Sequence, residues 1–347
     1  MRAVQARRLG TGPTGLRIED VPRPVPGAGE VLIRVHAVGA NHLDLGALSG
    51  QGPGAAARLP LRVGIDPAGR IVAVGHGVEA ERVGTRVVVK PNIPCGTCRW
   101  CLAGAEARCP RQEVVGVHRP GGAADLVVVP ERNAVPIPAG LPAPVASAAV
   151  HAVPIALQMV RRAGEINPGE PVLVTGAAGA VGSALVQILA AAGARPIPVV
   201  RSAGHGPVRR GPGADSVGEA VTYDGLAGAL TETAPDGVAL AFDATGAAGP
   251  IAAAWDALGW AGRLVVCAAT GDHPLEVDIR RLYLRRLQLI GSASADFGDV
   301  TEGLAMVAAG TVQVAVGPEF ALEDAVAAYT ALSDPHRDGK VLIHVAD

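Results

Sequence analysis

Over the first 140 residues the apolar positions fall in short runs, each cut off by glycine or proline. "EVLIRVHAVGA" (30–40) alternates around Arg34 and His36, and "GRIVAVG", "RVVVK" and "ADLVVVP" are briefer strands. Runs this short and this often interrupted predict a small, irregular, β-rich barrel. From 141 to 164 the pattern changes to an alanine-rich helical stretch, "LPAPVASAAVHAVPIALQMVRRAG", which reads as the hinge between domains. Beyond it strand-like and helix-like segments alternate. "PVLVTG" is followed by the helical "AVGSALVQILAAAG", then "RPIPVV", "GVALAFDATG", "GRLVVCAAT" and "LRRLQLIGS". Strands alternating with helices predict a parallel, doubly wound α/β sheet. The closing "GKVLIHV" is strand-like again.

Residues 171–194 carry no charge over 24 positions, enough for a hydropathy window to suggest a membrane span. Pro171, Gly176, Gly179, Gly182 and Gly193 punctuate them, so a strand, turn and helix buried in a core is the better reading. The net charge of −2 and the lack of a basic stripe argue against a nucleic-acid partner. The first residues contain no apolar core of a signal peptide, and the cysteines look reduced, which together predict a cytoplasmic protein without a membrane partner. Of the 30 basic residues only Lys90 and Lys340 are lysine, a bias that points to a GC-rich coding sequence.

Four of the five cysteines lie in "CGTCRWCLAGAEARC", at positions 95, 98, 101 and 109. Cysteines three residues apart bridge one another poorly, because a disulfide needs a particular Cα separation and torsion. Around one tetrahedral ion, Cys95, Cys98, Cys101 and Cys109 form a closed structural Zn²⁺ site. The bland alternative is a group of reduced surface thiols. Cys267, in "LVVCAAT", reads as a buried apolar thiol.

"VLVTGAAGAVGSA" places Gly176, Gly179 and Gly182 between a predicted strand and a predicted helix. Glycines there allow a tight turn, close backbone approach to a pyrophosphate, and packing of helix on strand. The cofactor-binding candidates in this turn are Gly176, Ala178, Gly179, Ala180, Val181 and Gly182. At the end of the next strand an NAD site usually carries an acid for the ribose 2′-OH. This chain has Arg201 and Ser202, with no acid until Asp215. A guanidinium and a hydroxyl suit the 2′-phosphate of NADPH. An ordinary solvated arginine is the alternative.

With these motifs the sequence resembles the medium-chain dehydrogenase/reductase superfamily, the zinc alcohol dehydrogenase and quinone oxidoreductase group. The resemblance runs from "PVPGAGEVLIRVHAVGANHLD" through the cysteine loop, "GGAADLVVVPERNAVPIP", the glycine motif, "FDATG" and "GRLVVCAATG" to "GKVLIHV". It implies a GroES-like catalytic domain over 1–140 and 298–347, with a Rossmann domain over 141–297. It implies one structural zinc on the four cysteines, and it adds Asp243, Ala268 and Ser292 to the cofactor-binding candidates. A homodimer joined near "LRRLQLIGS" is a further implication.

The family's catalytic zinc uses a Cys opening a C-x-x-D run, a His in a G-H-E triplet, and a third ligand near the interdomain helix. Here Asn41 and Asp44 fall in "NHLD", Ile65 and Asp66 in "GID", and His151 comes close to the third position. An isoleucine cannot bind metal, and asparagine is a poor zinc ligand beside thiolate. The resemblance therefore implies the chemistry of the superfamily's zinc-free members, an NADPH-dependent reduction of a small molecule's activated C=C bond. Related reductive cyclases make a coupled ring closure conceivable by analogy. A zinc-dependent alcohol dehydrogenase with unusual ligands is the second reading, and a nucleotide-binding protein without turnover the third. The catalytic candidates are His151, as proton donor or as a hydrogen-bonded helix-start histidine; Asn41, through its amide; and Asp44, which orients an imidazole or braces its loop. His42 and His118 read as solvated-edge and loop residues.

Overall fold

A computed structural model describes residues 1–202, 208–209, 211, 217–269, 275–334 and 336–345, with the backbone alone at 52–53. The chain divides into two compact units: Met1–His151 with Asp296–Ala308 and Val314–Asp347, and Ala152–Ala295 with Ala309–Gln313.

In chain order the strands of the first part are β1 (Arg2–Ala6), β2 (Leu16–Asp20), β3 (Glu30–Gly39), β4 (Leu61–Arg62), β5 (Asp66–Val74), β6 (Arg86–Val89), β7 (Asn92–Ile93), β8 (Glu113–Val114), β9 (Leu126–Pro130) and β10 (Ala134–Pro136). Helices α1 (His42–Ser49), α2 (Arg99–Leu102) and α3 (Ala143–Ala149) accompany them. Helix α4 (Ala152–Ala163) opens the second unit. Then come β11 (Pro171–Thr175), α5 (Ala180–Ala191), β12 (Arg195–Val200), β13 (Val221–Thr222), α6 (Leu226–Thr233), β14 (Val238–Asp243), α7 (Ala248–Asp256), β15 (Leu258–Val266), α8 (Ile279–Arg285) and β16 (Gln288–Gly291). Helix α9 (Phe297–Ala308), β17 (Val316–Ala321), α10 (Ala325–Ala331) and β18 (Lys340–His344) return to the first unit.

The first unit is built on a sheet ordered β10-β6-β5-β3-β18-β17, with β9 also paired to β3. Strand β3 is its spine. It is buried at most positions on both faces, which explains why its sequence is nearly continuous in apolar residues with Arg34 as the exposed exception. Opposite it, Gly69 sits between two register shifts, where a Cβ would meet the Arg34 carbonyl carbon at 2.9 Å. Only a glycine lets β5 bend that close to β3. Strand β18 pairs antiparallel with β3, with Leu342 opposite Gly39, so the last strand of the chain completes the sheet begun near its start. This unit also keeps α3, which the sequence reading assigned to the second domain. Ala146, Ser147, Ala148 and Ala149 of α3 are buried, and the helix packs on β3 and β5.

The second unit holds a parallel sheet ordered β13-β12-β11-β14-β15-β16. The order reverses at β11, which is the arrangement of a dinucleotide-binding sheet. Two prolines inside β12 have a simple explanation. The Arg195 N–H bonds back to Glu170, so alternate N–H groups face β11, whereas positions 196 and 198 face the side where β13 pairs only with Val199 and Val200. Prolines are tolerated there because no partner asks for their missing donors. Residues 171–194 form the central strand and its following helix, as expected of a core. Ala143–Ala163 is, among the described residues, the one helical stretch long and apolar enough to cross a membrane, and 67% of its apolar 18-residue window is buried within the protein.

Candidate functional site

In the second unit the turn after β11 is shaped by contacts that exclude side chains. Gly176 has φ +71°, a left-handed conformation, and a Cβ on it would meet Thr245 Cγ2 at 2.7 Å. At Gly182 a Cβ would strike the Gly176 carbonyl, lying 2.7 Å from its carbon and 2.9 Å from Ala177 Cα. Gly179 differs: it caps α5 in ordinary extended geometry, and the nearest atom to a Cβ would be Gly176 O at 3.2 Å. The first N–H groups of α5, from Ala180, Val181 and Gly182, have no acceptor within the helix. They therefore suit an anion.

The neighbouring candidates fall into different roles. Asp243, at the end of β14, is buried, and its carboxylate accepts from Thr175 Oγ1 (2.6 Å), Thr245 Oγ1 (2.7 Å) and the Gly246 N–H (2.7 Å). It ties the end of β11 to the end of β14 and the loop that follows, beside the glycine turn. Ala268 is half-buried just after β15. Ser292, just after β16, is buried with its N–H on Val266 O at 2.8 Å, while its hydroxyl has no hydrogen-bond partner among the described residues. Arg201 and Ser202 are exposed at the end of β12, and Asp215 lies outside the described residues. Cys267 is half-buried rather than buried, and its desolvation, with the charge of Asp243 nearby, pushes its thiol up to about 12. A glycine turn closed to side chains, a helix start and a buried unpartnered hydroxyl on one parallel sheet fit a nicotinamide dinucleotide.

The first unit gathers a polar cluster from four segments. Asn41 stands at the start of α1, and its N–H donates to Asp44 Oδ2 at 3.0 Å. Asp44 also accepts the Gly64 N–H at 2.9 Å, so it braces the loop before β5. Burial, with the charge of Asp66 added, pushes its carboxyl up to about 7 against the pull of those two N–H groups. Asp66, at the start of β5, is buried; its desolvation is outweighed by Lys340, His151 and Asn41, and its carboxyl is held below the ordinary range. Asp66 Oδ2 accepts from Lys340 Nζ at 3.1 Å and from the Asn41 amide nitrogen. Asn41 Oδ1 accepts from Lys340 Nζ at 2.5 Å. His151 Nδ1 lies 3.5 Å from Asp66 Oδ1, an oxygen with no hydrogen bond of its own among the described residues.

The cluster thus joins Asn41, Asp44, Asp66 and His151, and both ends of the Asn41 amide are engaged. Ile65 is buried beside them and offers no donor atom. This set does not fit a catalytic zinc: one position is a hydrocarbon, and the Asn41 oxygen faces an ammonium. Lys340 did not stand out in the sequence reading, although its rarity as one of two lysines was a usable signal. His42 is exposed, and His118 Nδ1 accepts the Val114 N–H at 2.9 Å within a turn.

The cysteine loop belongs to the same unit. The sulfurs of Cys95, Cys98, Cys101 and Cys109 lie within 4.8 Å of one another, with 3.5 Å between Cys98 and Cys101 and 3.9 Å between Cys95 and Cys101. Zinc–sulfur bonds of about 2.3 Å in a tetrahedron place sulfurs about 3.8 Å apart, so these residues fit zinc. Hydrogen bonds from backbone N–H groups, that of Thr97 first, draw Cys95 down to about 5, and Arg111 lies 3.3 Å from its sulfur.

Comparison with known proteins agrees with both halves. Residues 27–139 match the alcohol dehydrogenase GroES-like domain, and residues 180–309 match the zinc-binding dehydrogenase domain. The crystal structure of an NAD-dependent alcohol dehydrogenase is 32% identical, with a TM-score of 0.89 and all of both chains covered. An acryloyl-coenzyme A reductase of Sulfurisphaera tokodaii is 29% identical over 95% of this chain and 96% of that protein. The structure of a putative zinc-binding dehydrogenase from Sinorhizobium meliloti 1021 bound to NADP is 26% identical, with a TM-score of 0.82 over 99% of this chain and 98% of that one. A GroES-like unit, a Rossmann unit with its glycine turn, and these full-length likenesses make the chain a member of the medium-chain dehydrogenase/reductase superfamily and an NAD(P)-dependent oxidoreductase.

Proposed function

We propose that the chain is an NADPH-dependent reductase of a C=C bond conjugated to a carbonyl, working without a catalytic metal and carrying one structural zinc. The observation that carries this reading is the polar cluster of the first unit. Where a metal-dependent alcohol dehydrogenase needs zinc ligands, this chain has Asn41 bonded to Lys340 and Asp66, and Ile65. A carbonyl reduction at such a centre lacks the metal that polarises its oxygen, whereas hydride addition to a conjugated alkene spreads the new charge over an enolate. The acryloyl-coenzyme A reductase among the relatives supports an enoyl thioester or a similar enone as acceptor.

NADPH, when bound, supplies hydride from its nicotinamide ring. The N–H groups of Ala180, Val181 and Gly182 hold its pyrophosphate where Gly179 leaves the backbone open, with Gly176 and Ala178 forming the turn. Arg201 and Ser202 read the 2′-phosphate, Asp243 keeps the turn in shape, and Ala268 and Ser292 complete the cofactor's surroundings. Hydride adds to the β-carbon, the C=C pair shifts into the bond between the α-carbon and the carbonyl carbon, the C=O pair moves onto oxygen as an enolate, and a proton then adds to the α-carbon as the carbonyl re-forms. His151 is the residue assigned to that proton: Asp66 Oδ1 faces Nδ1 at 3.5 Å, which leaves Nε2 for the substrate, and solvent reprotonates it. Asn41 and Asp44 act through Asp66 and the loop. The exposed Trp260, Tyr283, Leu284 and Leu289 on β15, α8 and edge strand β16 suit burial against a second copy; a monomeric mass in solution would sink that dimer.

Labelled NADPH tests the reaction. Deuteride is expected on the carbon β to the carbonyl, with a solvent proton on the α-carbon. Deuterium on a carbinol carbon would refute the proposal. His151→Phe is expected to lower kcat by ~10²–10⁴-fold with NADPH affinity near the parent's. Parent-like turnover would remove His151 from the proton step.

A further inference from the structure

Of 30 basic residues this chain writes only two as lysine, and both, Lys90 and Lys340, are buried. Elsewhere arginine serves. A lysine retained in such a chain marks a place that takes a compact ammonium on a thin stem and has no room for a planar guanidinium. At position 340 the reason is visible. The stem passes Gly39, where a Cβ would lie 2.7 Å from Lys340 Cε and 3.1 Å from the Ser147 carbonyl oxygen. Beyond that constriction Nζ reaches Asn41 Oδ1 at 2.5 Å and Asp66 Oδ2 at 3.1 Å. These are two of the three donors that a divalent ion would need in this cluster. The third, His151, approaches the opposite oxygen of the same carboxylate.

We propose that the Lys340 ammonium is the built-in cation of this cluster: it occupies the oxygens a divalent metal would require, excludes such a metal, and fixes Asp66 so that its other oxygen orients His151. Lys340 is thus a positioning residue, acting on the reaction through Asp66. The charges support it. Asp66 and Lys340 neutralise one another in a buried setting, and Asp44 beside them is already resisted by burial as an anion. A divalent ion entering here would face an ammonium already bonded to Asn41 Oδ1 and Asp66 Oδ2.

The inference rests on the metal-independent reading above, but its test has a separate readout. The full-length, zinc-loaded protein is titrated with Co²⁺ and followed by native mass spectrometry and d–d absorption. The parent is expected to bind no cobalt at the cluster. Lys340→Met keeps the length and removes the charge, and is expected to take one further Co²⁺ with affinity raised by at least ~100-fold, as like-charge opposition of this kind implies. Adding Asn41→Ala should abolish that gain. Lys340→Met should also lower kcat while KM for NADPH stays near the parent's. A folded Lys340→Met protein that gains no cobalt overturns the inference. So does a cobalt bound by the parent and lost in Asn41→Ala, a result readable even if Lys340→Met fails to fold. Carbinol labelling with no cobalt in the parent would sink the reductase reading alone.

Discussion

Gly179 and Gly182 lie three residues apart in one turn, yet the structure predicts opposite consequences for the same added methyl group. At Gly182 a Cβ collides with backbone, 2.7 Å from the Gly176 carbonyl carbon and 2.9 Å from Ala177 Cα. Neither atom can yield without moving the end of β11 away from α5. Overpacking of this kind costs about 1–3 kcal/mol. In a unit of this size each kcal/mol is worth about 2–4 °C, so Gly182→Ala should lower Tm by roughly 2–12 °C. At Gly179 a Cβ has only Gly176 O nearby, at 3.2 Å, and the backbone is in ordinary extended geometry. Gly179→Ala should therefore fold with Tm close to the parent's. Its methyl group instead fills the space over the start of α5 where a pyrophosphate must approach. Each hydrogen bond to a charged oxygen lost there is worth about 1.5–3 kcal/mol, so NADPH and NADH should both weaken by roughly 10–100-fold. Differential scanning fluorimetry gives the first quantity, and fluorescence titration of reduced cofactor the second. A Gly179→Ala protein that binds NADPH like the parent would refute the placement of the pyrophosphate. Equal loss of Tm in the two variants would refute the packing argument.

Two other expectations follow from the same residues. Arg201→Asp replaces attraction by repulsion at the 2′-phosphate and should shift the NADPH/NADH ratio of kcat/KM toward NADH by tenfold or more, at about 1.4 kcal/mol per tenfold; an unchanged ratio would mean Arg201 does not read the phosphate. Elemental analysis should find about one Zn²⁺ per chain on the four thiolates, and Cys98→Ser should reduce soluble yield and Tm more than the turnover of the protein that survives; zinc retained in full by that variant would contradict the ligand set.

Much of the architecture was legible in local pattern. A parallel, doubly buried strand such as β11 must be an uninterrupted apolar run, and a turn that meets phosphate must be made of glycine, so "PVLVTGAAGAVGSA" announces both. The cysteine spacing is local chemistry too, because three of its four sulfurs come from seven residues of one loop. Other features were decided only when distant segments met. Whether α3 belongs to the first unit depends on the face it buries against β3 and β5, and alanine-rich composition carries no such address. Asp243 looked like a cofactor residue from its motif; the fold engages its carboxylate with Thr175, Thr245 and Gly246. The cluster of the first unit is the clearest case. Asn41, Asp66, His151 and Lys340 are separated by up to 299 positions, and no spacing rule relates them. Antiparallel pairing of β18 with β3 sets Lys340 beside Asn41, and the missing Cβ of Gly39 lets its stem through. Side-chain chemistry is written residue by residue, but an electrostatic environment is a sum over neighbours, and the neighbours are chosen by the tertiary fold.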